Sequence, residues 1–262
     1  MTDPRTADLH RFYDLLARLK GRVGMRRLKE CSSSSEWPDR GVYFFFEQGE
    51  TRSGSGDGLR VVRVGTHAIT SRSRATLWNR LAQHRGTTKS GGNHRGSVFR
   101  KLVGGALAKK YPRLATPTWD NSSASPRERA AERPLEEEVS RYIGAMPFLW
   151  IEVEDPPSPS SRRLYIERHS IALLSSVVLK VDPPSTCWLG LLCPHPDVAQ
   201  SGLWNSRHVH EKEYDRKFLD KLERLVPLSP LAPPPSHPKT KSLRARGAKR
   251  SAPDTASDRI LP

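Results

Sequence analysis

An arginine and a histidine lie one helical turn apart in the first third of the chain. Thr76 is placed to cap a helix beginning at Leu77, and Arg80 and His84 are four residues apart on it, so both side chains are expected on one face. A planar guanidinium binds phosphate through paired hydrogen bonds, and an imidazole relays protons near neutral pH. The pair favours phosphoryl chemistry, although the same spacing is typical of a solvated helix face.

A second candidate group follows paired glycines between two predicted helices. It combines hydrogen-bonding and cationic side chains at Asn93, His94, Arg95 and Ser97, the types that contact phosphates and bases. Arg100, in the first turn of the following helix, extends the group. We predict that these residues bind nucleic acid; the alternative for Ser97 is a helix cap.

The chain is strongly basic. Its 262 residues include 44 Lys and Arg against 28 Asp and Glu, a formal net charge of +16. Residues 228–262 contain seven prolines, seven Lys and Arg and two Asp, so this tail carries +5 and the rest of the chain +11. The tail has too little apolar surface to fold and is expected to be disordered. The remaining excess indicates a polyanionic partner, most simply nucleic acid, with the ribosome or an acidic protein as alternatives.

The composition also excludes several classes of protein. No apolar run approaches the ~18–20 residues of a membrane span, and the first thirty residues lack the apolar block of a secretory signal. Cys31, Cys187 and Cys193 are too few for a disulfide framework or a zinc cluster. We therefore expect a cytoplasmic protein without a membrane segment.

Hydrophobic periodicity predicts the elements that position these residues. Two strands, 41–47 and 59–65, flank a connection rich in Gly and Ser, which indicates an antiparallel hairpin, and a third strand is predicted over 147–154. Helices are predicted over 8–20, 77–84, 97–110, 136–144, 164–175 and 211–225. This order predicts an α+β fold, in which a small antiparallel β-sheet of about three strands is covered by helices, with extra helices at both ends.

Four segments, taken in this order, resemble the signature of the GIY-YIG nuclease superfamily. Residues 41–43 (GVY) are similar to the first half of the motif, and residues 63–65 (RVG) stand about twenty positions on, where the second half is expected. The helix over 77–84 and the segment 166–174 follow in the order of the family. The flanking segments are similar to those of a bacterial branch of the superfamily.

The resemblance implies a role for each catalytic candidate. Glu167 would hold Mg²⁺, or another divalent cation such as Mn²⁺, together with several waters. Tyr43 would hold or deprotonate the attacking water, Arg80 would clamp the phosphate, and His84 would orient it or relay a proton. Arg63 occupies the place of the second tyrosine of the motif. A cation there stabilises an oxyanion but cannot act as a neutral hydroxyl donor.

Many members of the superfamily also have an asparagine about a dozen residues after the glutamate. The corresponding region of this chain, 179–185 (LKVDPPS), contains none. Asn205 is the candidate substitute and completes the predicted nucleic-acid-binding set.

The leading hypothesis is a Mg²⁺-dependent DNA endonuclease that hydrolyses phosphodiester bonds. Two alternatives stay open: a DNA-binding module that keeps the fold without efficient cleavage, and an adaptor protein with partner proteins in a DNA defence or repair system. We predict an N-terminal helical extension over 1–36, a nuclease-like domain over 37–227 with a flexible insertion at 111–134, and the disordered tail over 228–262. The sequence leaves the DNA substrate and the oligomeric state open.

Overall fold

One antiparallel sheet organises the part of the chain that the computed structural model describes, residues 3–231. Its strands are β1 (Arg26–Arg27), β2 (Gly41–Thr51), β3 (Leu59–Gly65) and β4 (Pro147–Glu152). The spatial order β1-β4-β2-β3 makes β2 central and β3 an edge strand. The predicted α+β fold and the hairpin of β2 and β3 are confirmed, and the two-residue β1 adds a fourth strand.

Seven α-helices accompany the sheet in the described part of the chain. They are α1 (Pro4–Val23), α2 (Leu77–Arg85), α3 (Val98–Lys110), α4 (Pro126–Ala145), α5 (Arg162–Leu174), α6 (Pro196–Ser201) and α7 (Lys217–Leu225). Thr76 and Ser97 cap α2 and α3 through their side-chain oxygens, as predicted for Thr76 and as the alternative for Ser97. Within residues 3–231, no helix combines the length and the apolar character that a bilayer span requires.

The aromatic segment of β2 is buried on both faces of the sheet. Successive side chains of a strand point to opposite faces, so Phe44 meets Phe12 of α1 at 5.8 Å between ring centroids, whereas Phe45 meets Phe99 of α3 at 5.4 Å. Helices therefore cover both sides of the central strand. Tyr43, two positions before Phe45, lies on the same face as α3.

The predicted flexible insertion at 111–134 is folded, so that prediction was wrong. Helix α4 begins at Pro126, well before its predicted start, and Ser125 and Glu128 form a reciprocal capping box at its N-terminus. The ring of Trp119 is 5% exposed and packs in the core. The first turns of α4 are polar and lack apolar residues at helical spacing, so hydrophobic periodicity does not predict them.

Both ends of the described chain also differ from the sequence-based boundaries. Helix α1 is longer than predicted and contacts β4, so the expected extension 1–36 packs against the sheet. Helix α7 begins at Lys217 instead of residue 211. Of the predicted disordered tail, 228–262, the structure describes residues 228–231, and the rest lies outside the described residues.

Candidate active site

A cleft of about 580 Å³ opens beside the edge strand β3. Arg63 from β3, Arg80 from α2 and Glu167 from α5 all line it, together with Asn205 from the irregular segment after α6. Three of the five predicted catalytic residues, which are far apart in the chain, therefore share one concave surface.

Tyr43 and His84 lie below this cleft and are fully buried. The hydroxyl of Tyr43 is 2.8 Å from Nε2 of His84. Nδ1 of the same ring is 2.8 Å from Oγ of Ser97, which also accepts the backbone N–H of Arg100 at 3.3 Å. The phenol, the imidazole and the serine hydroxyl form a continuous hydrogen-bonded row.

The electrostatic environment keeps His84 uncharged. Burial lowers the pKa of His84 well below its ordinary value, and the positive charges of Arg80, Arg63 and Arg100 lower it further. A neutral imidazole donates from one ring nitrogen and accepts at the other. The hydrogen bonds of His84 to Tyr43 and Ser97, on opposite ring nitrogens, match that state.

The two motif glycines are required by close contacts within the sheet. Gly65 pairs with Tyr43 across β2 and β3, and a Cβ at position 65 would overlap the phenol ring. A Cβ at Gly41 would lie 2.5 Å from the carbonyl oxygen of Ile151. Glycine at these positions lets the tyrosine ring and the neighbouring strand approach the backbone closely.

Arg63 connects the buried pair with the cleft. Its guanidinium donates to the carbonyl oxygen of Trp204 and lies 4.7 Å from the centroid of the Phe99 ring. Burial lowers the pKa of Arg63, and the neighbouring Tyr43 and Glu167 oppose that shift. Both the phenol and the acid are therefore near enough to this guanidinium to influence its pKa.

Glu167 is partly exposed on the cleft wall. Burial raises the pKa of its carboxyl group, and the charges of Arg63 and His208 and a hydrogen bond from the Thr66 backbone counteract part of the shift. No group of three or more His, Cys, Asp and Glu side chains suited to a metal occurs within residues 3–231. A cation bound here would keep most of its waters. One carboxylate on an open cleft fits Mg²⁺, which dehydrates reluctantly.

Arg80 is held at the rim of the cleft. Its Nη1 donates to Oε1 of Gln83 at 2.5 Å and to the carbonyl oxygen of Gly96 at 3.1 Å. The Nε–H groups of Arg80 and Arg63 are buried and have no acceptor among the described residues. Both side chains line the cleft, where a guanidinium can bind an anionic ligand.

Most of the predicted nucleic-acid-binding residues support the fold instead. His94 is buried, its Nδ1 lies 2.8 Å from Oε1 of Glu136, and its ring stacks on Trp119 at 3.8 Å between centroids. Arg95 forms an ion pair with Glu132 at 2.7 Å. Neither side chain lines the cleft.

Ser97 and Arg100 are also interior residues. Ser97 is 1% exposed and both caps α3 and contacts His84. Arg100 is fully buried, and its Nε donates to Oε2 of Glu136 at 3.0 Å. The prediction of nucleic-acid contacts was wrong for His94, Ser97 and Arg100, because buried side chains cannot reach a macromolecular ligand.

Asn93 and Asn205 have different surroundings. Asn93 is exposed and caps a short 3₁₀ turn over 94–96 by accepting the backbone N–H of Arg95. Asn205 is buried at the cleft, where its amide accepts from the N–H of Val64 at 3.2 Å and donates to the same residue's carbonyl at 2.9 Å. Asn205 thus joins the segment after α6 to the edge of β3.

No pattern in the sequence indicates that three further residues belong to the cleft. His67, Arg207 and His208 line its walls but lie in segments without helical or strand periodicity. Burial lowers the pKa of His67 to about 4, and the charges of Arg163 and Arg40 contribute. These positions could have been found only from their neighbours in space.

Comparison with known proteins gives one match. A family model described as the GIY-YIG domain matches residues 3–230. No curated protein and no solved structure matches the chain. The matched range includes the motif glycines, the tyrosine of β2 and all cleft residues named above. Because the match covers most of the chain and agrees with the fold, the protein belongs to the GIY-YIG family and carries a nuclease-type domain.

Proposed function

We propose that this protein is a Mg²⁺-dependent endonuclease that hydrolyses DNA phosphodiester bonds in the cleft beside β3, with Mn²⁺ as an effective substitute. One observation carries the proposal: Arg63, Arg80 and Glu167 line one cleft, and Arg63 neighbours Tyr43 of the hydrogen-bonded Tyr43–His84 pair. These are the side-chain types that phosphodiester hydrolysis requires.

The two arginines would bind the scissile phosphate. Both side chains line the cleft, so their guanidinium groups are placed to pair with a phosphate bound there. As charge grows on the phosphoryl oxygens, preorganised cationic donors stabilise it without further reorganisation. Arg63 would therefore take over the electrostatic part of the role of the missing second tyrosine, but not its hydroxyl chemistry.

Glu167 would hold the divalent cation. When bound, that cation neutralises charge on the phosphate and lowers the pKa of a coordinated water. The residues of the chain contribute the remainder: Glu167 fixes the cation at the cleft wall, and Arg63 favours the ionised carboxylate that binding needs.

Tyr43 and His84 would remove the proton of the attacking water. With Nδ1 of His84 donating to Ser97, Nε2 accepts the Tyr43 hydroxyl proton while the phenol oxygen takes one from water. Arg63 stabilises the negative charge that develops on the phenol. Since both groups are fully buried, this step requires one water at the cleft floor when substrate binds.

Charge around the cleft supports DNA as the substrate. Arg207 lines the wall, and Arg72 and Arg74 are exposed in the segment 70–75. Thr70, Ser73 and Ala75 of that segment line the cleft. Clustered cations beside a cleft bind the phosphate backbone and make affinity salt-dependent.

A plasmid-nicking assay tests the proposal. Wild type should nick supercoiled DNA with Mg²⁺ or Mn²⁺ and not with EDTA. Glu167→Gln and Arg80→Met should each reduce the rate by about 10²–10³-fold, the usual effect of losing one charge-stabilising group. Glu154→Gln and Arg129→Met, at exposed positions outside the cleft, are the matched controls. Full activity in both cleft variants would reject the assigned site.

A second candidate is a DNA-binding module without efficient cleavage. The cation at position 63 and the complete burial of Tyr43 favour it. Gel-shift measurements over a range of salt concentrations separate the two. Salt-dependent binding by a wild-type protein that cleaves with neither metal would establish the binding module.

A further inference from the structure

His208 is placed to act on whatever occupies the cleft. It lies in the irregular segment between α6 and α7, is partly exposed and lines the same cleft as Glu167. Its Nδ1 is 2.6 Å from Oε1 of Glu211, so its ion-pair partner is Glu211 and not Glu167. No described residue forms a hydrogen bond with Nε2 of His208, the other ring nitrogen.

Glu211 is itself fixed by a second contact. Nε of Arg168 lies 3.0 Å from Oε1 and 2.8 Å from Oε2 of this carboxylate. Burial alone would raise the pKa of Glu211, but the hydrogen bonds of Arg168 and His208 hold it below its ordinary value. An ionised carboxylate at Nδ1 keeps a proton on that nitrogen and fixes the orientation of the ring, the arrangement seen for oriented catalytic histidines.

The backbone gives an independent indication. Within residues 3–231, positive φ angles at residues other than glycine occur at Ala68, 52°, and His208, 64°, and both residues line the cleft. Such conformations cost free energy and persist where the surrounding structure determines them, which is common at functional sites.

We propose that His208, oriented by Glu211, donates the proton that the leaving oxygen takes up when the phosphodiester is cleaved. This inference rests on the proposed nuclease function. The water oxygen forms a bond to phosphorus, the bond from phosphorus to the bridging oxygen breaks, and that oxygen becomes a hydroxyl by taking the proton of Nε2. The proton of the water passes to the Tyr43 oxygen while the Tyr43 hydroxyl proton passes to Nε2 of His84, and His84 releases that proton to solvent after the products leave. His208 regains its proton from solvent, to which it is partly exposed.

Leaving-group replacement tests this role. The first substrate is an oligonucleotide duplex with an ordinary phosphodiester. The second carries sulfur at the bridging position that the ends of the wild-type product identify as the leaving atom. A thiolate leaves without a proton, because thiols are far more acidic than alcohols. Mn²⁺ is used with both substrates.

His208→Asn is the informative variant, since asparagine tolerates a positive φ but cannot reach or protonate the leaving atom. It should cleave the oxygen substrate about 10²–10⁴-fold more slowly than wild type and the sulfur substrate at nearly the wild-type rate. Glu211→Gln, which changes a positioning residue, should show a smaller loss with the same rescue. His210→Asn is the matched control, because His210 is exposed and pairs with Asp197 away from the cleft.

The outcomes separate the two proposals. A wild-type protein that fails to cleave DNA overturns the nuclease function and this inference together. If wild type cleaves and His208→Asn cleaves the oxygen substrate equally fast, only the role of His208 is overturned. If His208→Asn slows both substrates equally and its thermal unfolding is unchanged, the proton-donor role is also overturned. In that case the sulfur leaving group does not restore cleavage.

Discussion

The hydroxyl of Tyr43 lies 2.8 Å from Nε2 of His84, although 41 positions separate the two residues. The phenol belongs to the central strand and the imidazole to α2, and both are sealed in an aromatic environment that includes Phe45 and Phe99. A polar pair in an apolar core must be satisfied internally. The hydrogen bond therefore links the packing of α2 against the sheet to the chemistry of the cleft.

Replacement of Tyr43 by phenylalanine should separate these two functions. The ring and its packing remain, but Nε2 of His84 loses its partner, which costs about 1–3 kcal/mol of unfolding free energy. Cleavage should fall by about 10²–10⁴-fold, because the proton acceptor is lost. Urea unfolding and plasmid nicking measure the two effects.

Tyr13→Phe is the matched control for that substitution. The Tyr13 hydroxyl is also buried and accepts the backbone N–H of Val61 at 3.1 Å, and it does not line the cleft. Its loss should lower stability by a similar amount and leave the nicking rate of the folded protein unchanged. Equal nicking by both variants would remove Tyr43 from the mechanism.

Gly65→Ala should displace the ring of Tyr43. A Cβ at position 65 overlaps the phenol of Tyr43, so either the ring moves or the two strands separate. Overpacking of this kind costs about 1–3 kcal/mol. The spectrum of tyrosine absorbance and the nicking rate should both change. Gly21→Ala, where an added Cβ meets no atom within 4 Å, should change neither.

The pKa of Glu167 predicts a pH dependence of stability. Because its pKa in the folded protein is raised by burial, the folded state binds more protons than the unfolded state between the ordinary carboxyl pKa and the raised value. Stability therefore falls as the pH increases through that window, and the full cost is present above the raised pKa. Glu167→Gln should lose this pH dependence, and its gain in unfolding temperature over wild type should grow as the pH rises through the window.

The raised pKa of Glu167 should also make the cleavage rate depend on pH, but in the opposite direction to stability. Metal binding needs the ionised carboxylate, so nicking should decline on acidification at a pH above the ordinary carboxyl pKa. Arg63→Met removes a charge that lowers the pKa of Glu167 and should move this decline to higher pH. A decline that stays at the wild-type pH would contradict the electrostatic coupling.

Arg100→Ala should unfold the protein more easily without a specific effect on DNA. The guanidinium is fully buried against Glu136, and removal of one partner of a buried pair costs about 3–5 kcal/mol. Lys101→Ala, on the same helix with an exposed ion pair, should cost much less. Denaturant unfolding measures both. Wild-type stability together with lost DNA affinity would restore the nucleic-acid role predicted for Arg100.

The elements around the site could be predicted where local patterns are strong. The aromatic β2, the valine-rich β3 and the capped α2 follow from periodicity and turn residues. That Tyr43 and Glu167 act in one site stays a prediction from the motif. The partners of the buried cations could not be predicted. Arg100 meets Glu136 from a helix 36 positions later, and a charged residue in a polar segment gives no sign that it will be interior.

His208 shows the same limit for the cleft. It follows Glu167 by 41 positions in a segment without regular structure, and its positive φ and its contact with Glu211 exist only in the folded chain. The start of α4 is different, because the spacing of Ser125 and Glu128 in the sequence is typical of a helix capping box. The partners of a residue in space must be observed in the structure, whereas a local capping motif can be predicted from the sequence.

The contacts that restrain Arg63 constrain the order in which the cleft forms during synthesis of the chain. Trp204 and Asn205 hold β3 through contacts that span about 141 positions of the chain. A nascent polypeptide acquires its hairpin and α2 long before these two residues are synthesised. The contacts that restrain the arginine can therefore form only after residues 204 and 205 have been synthesised.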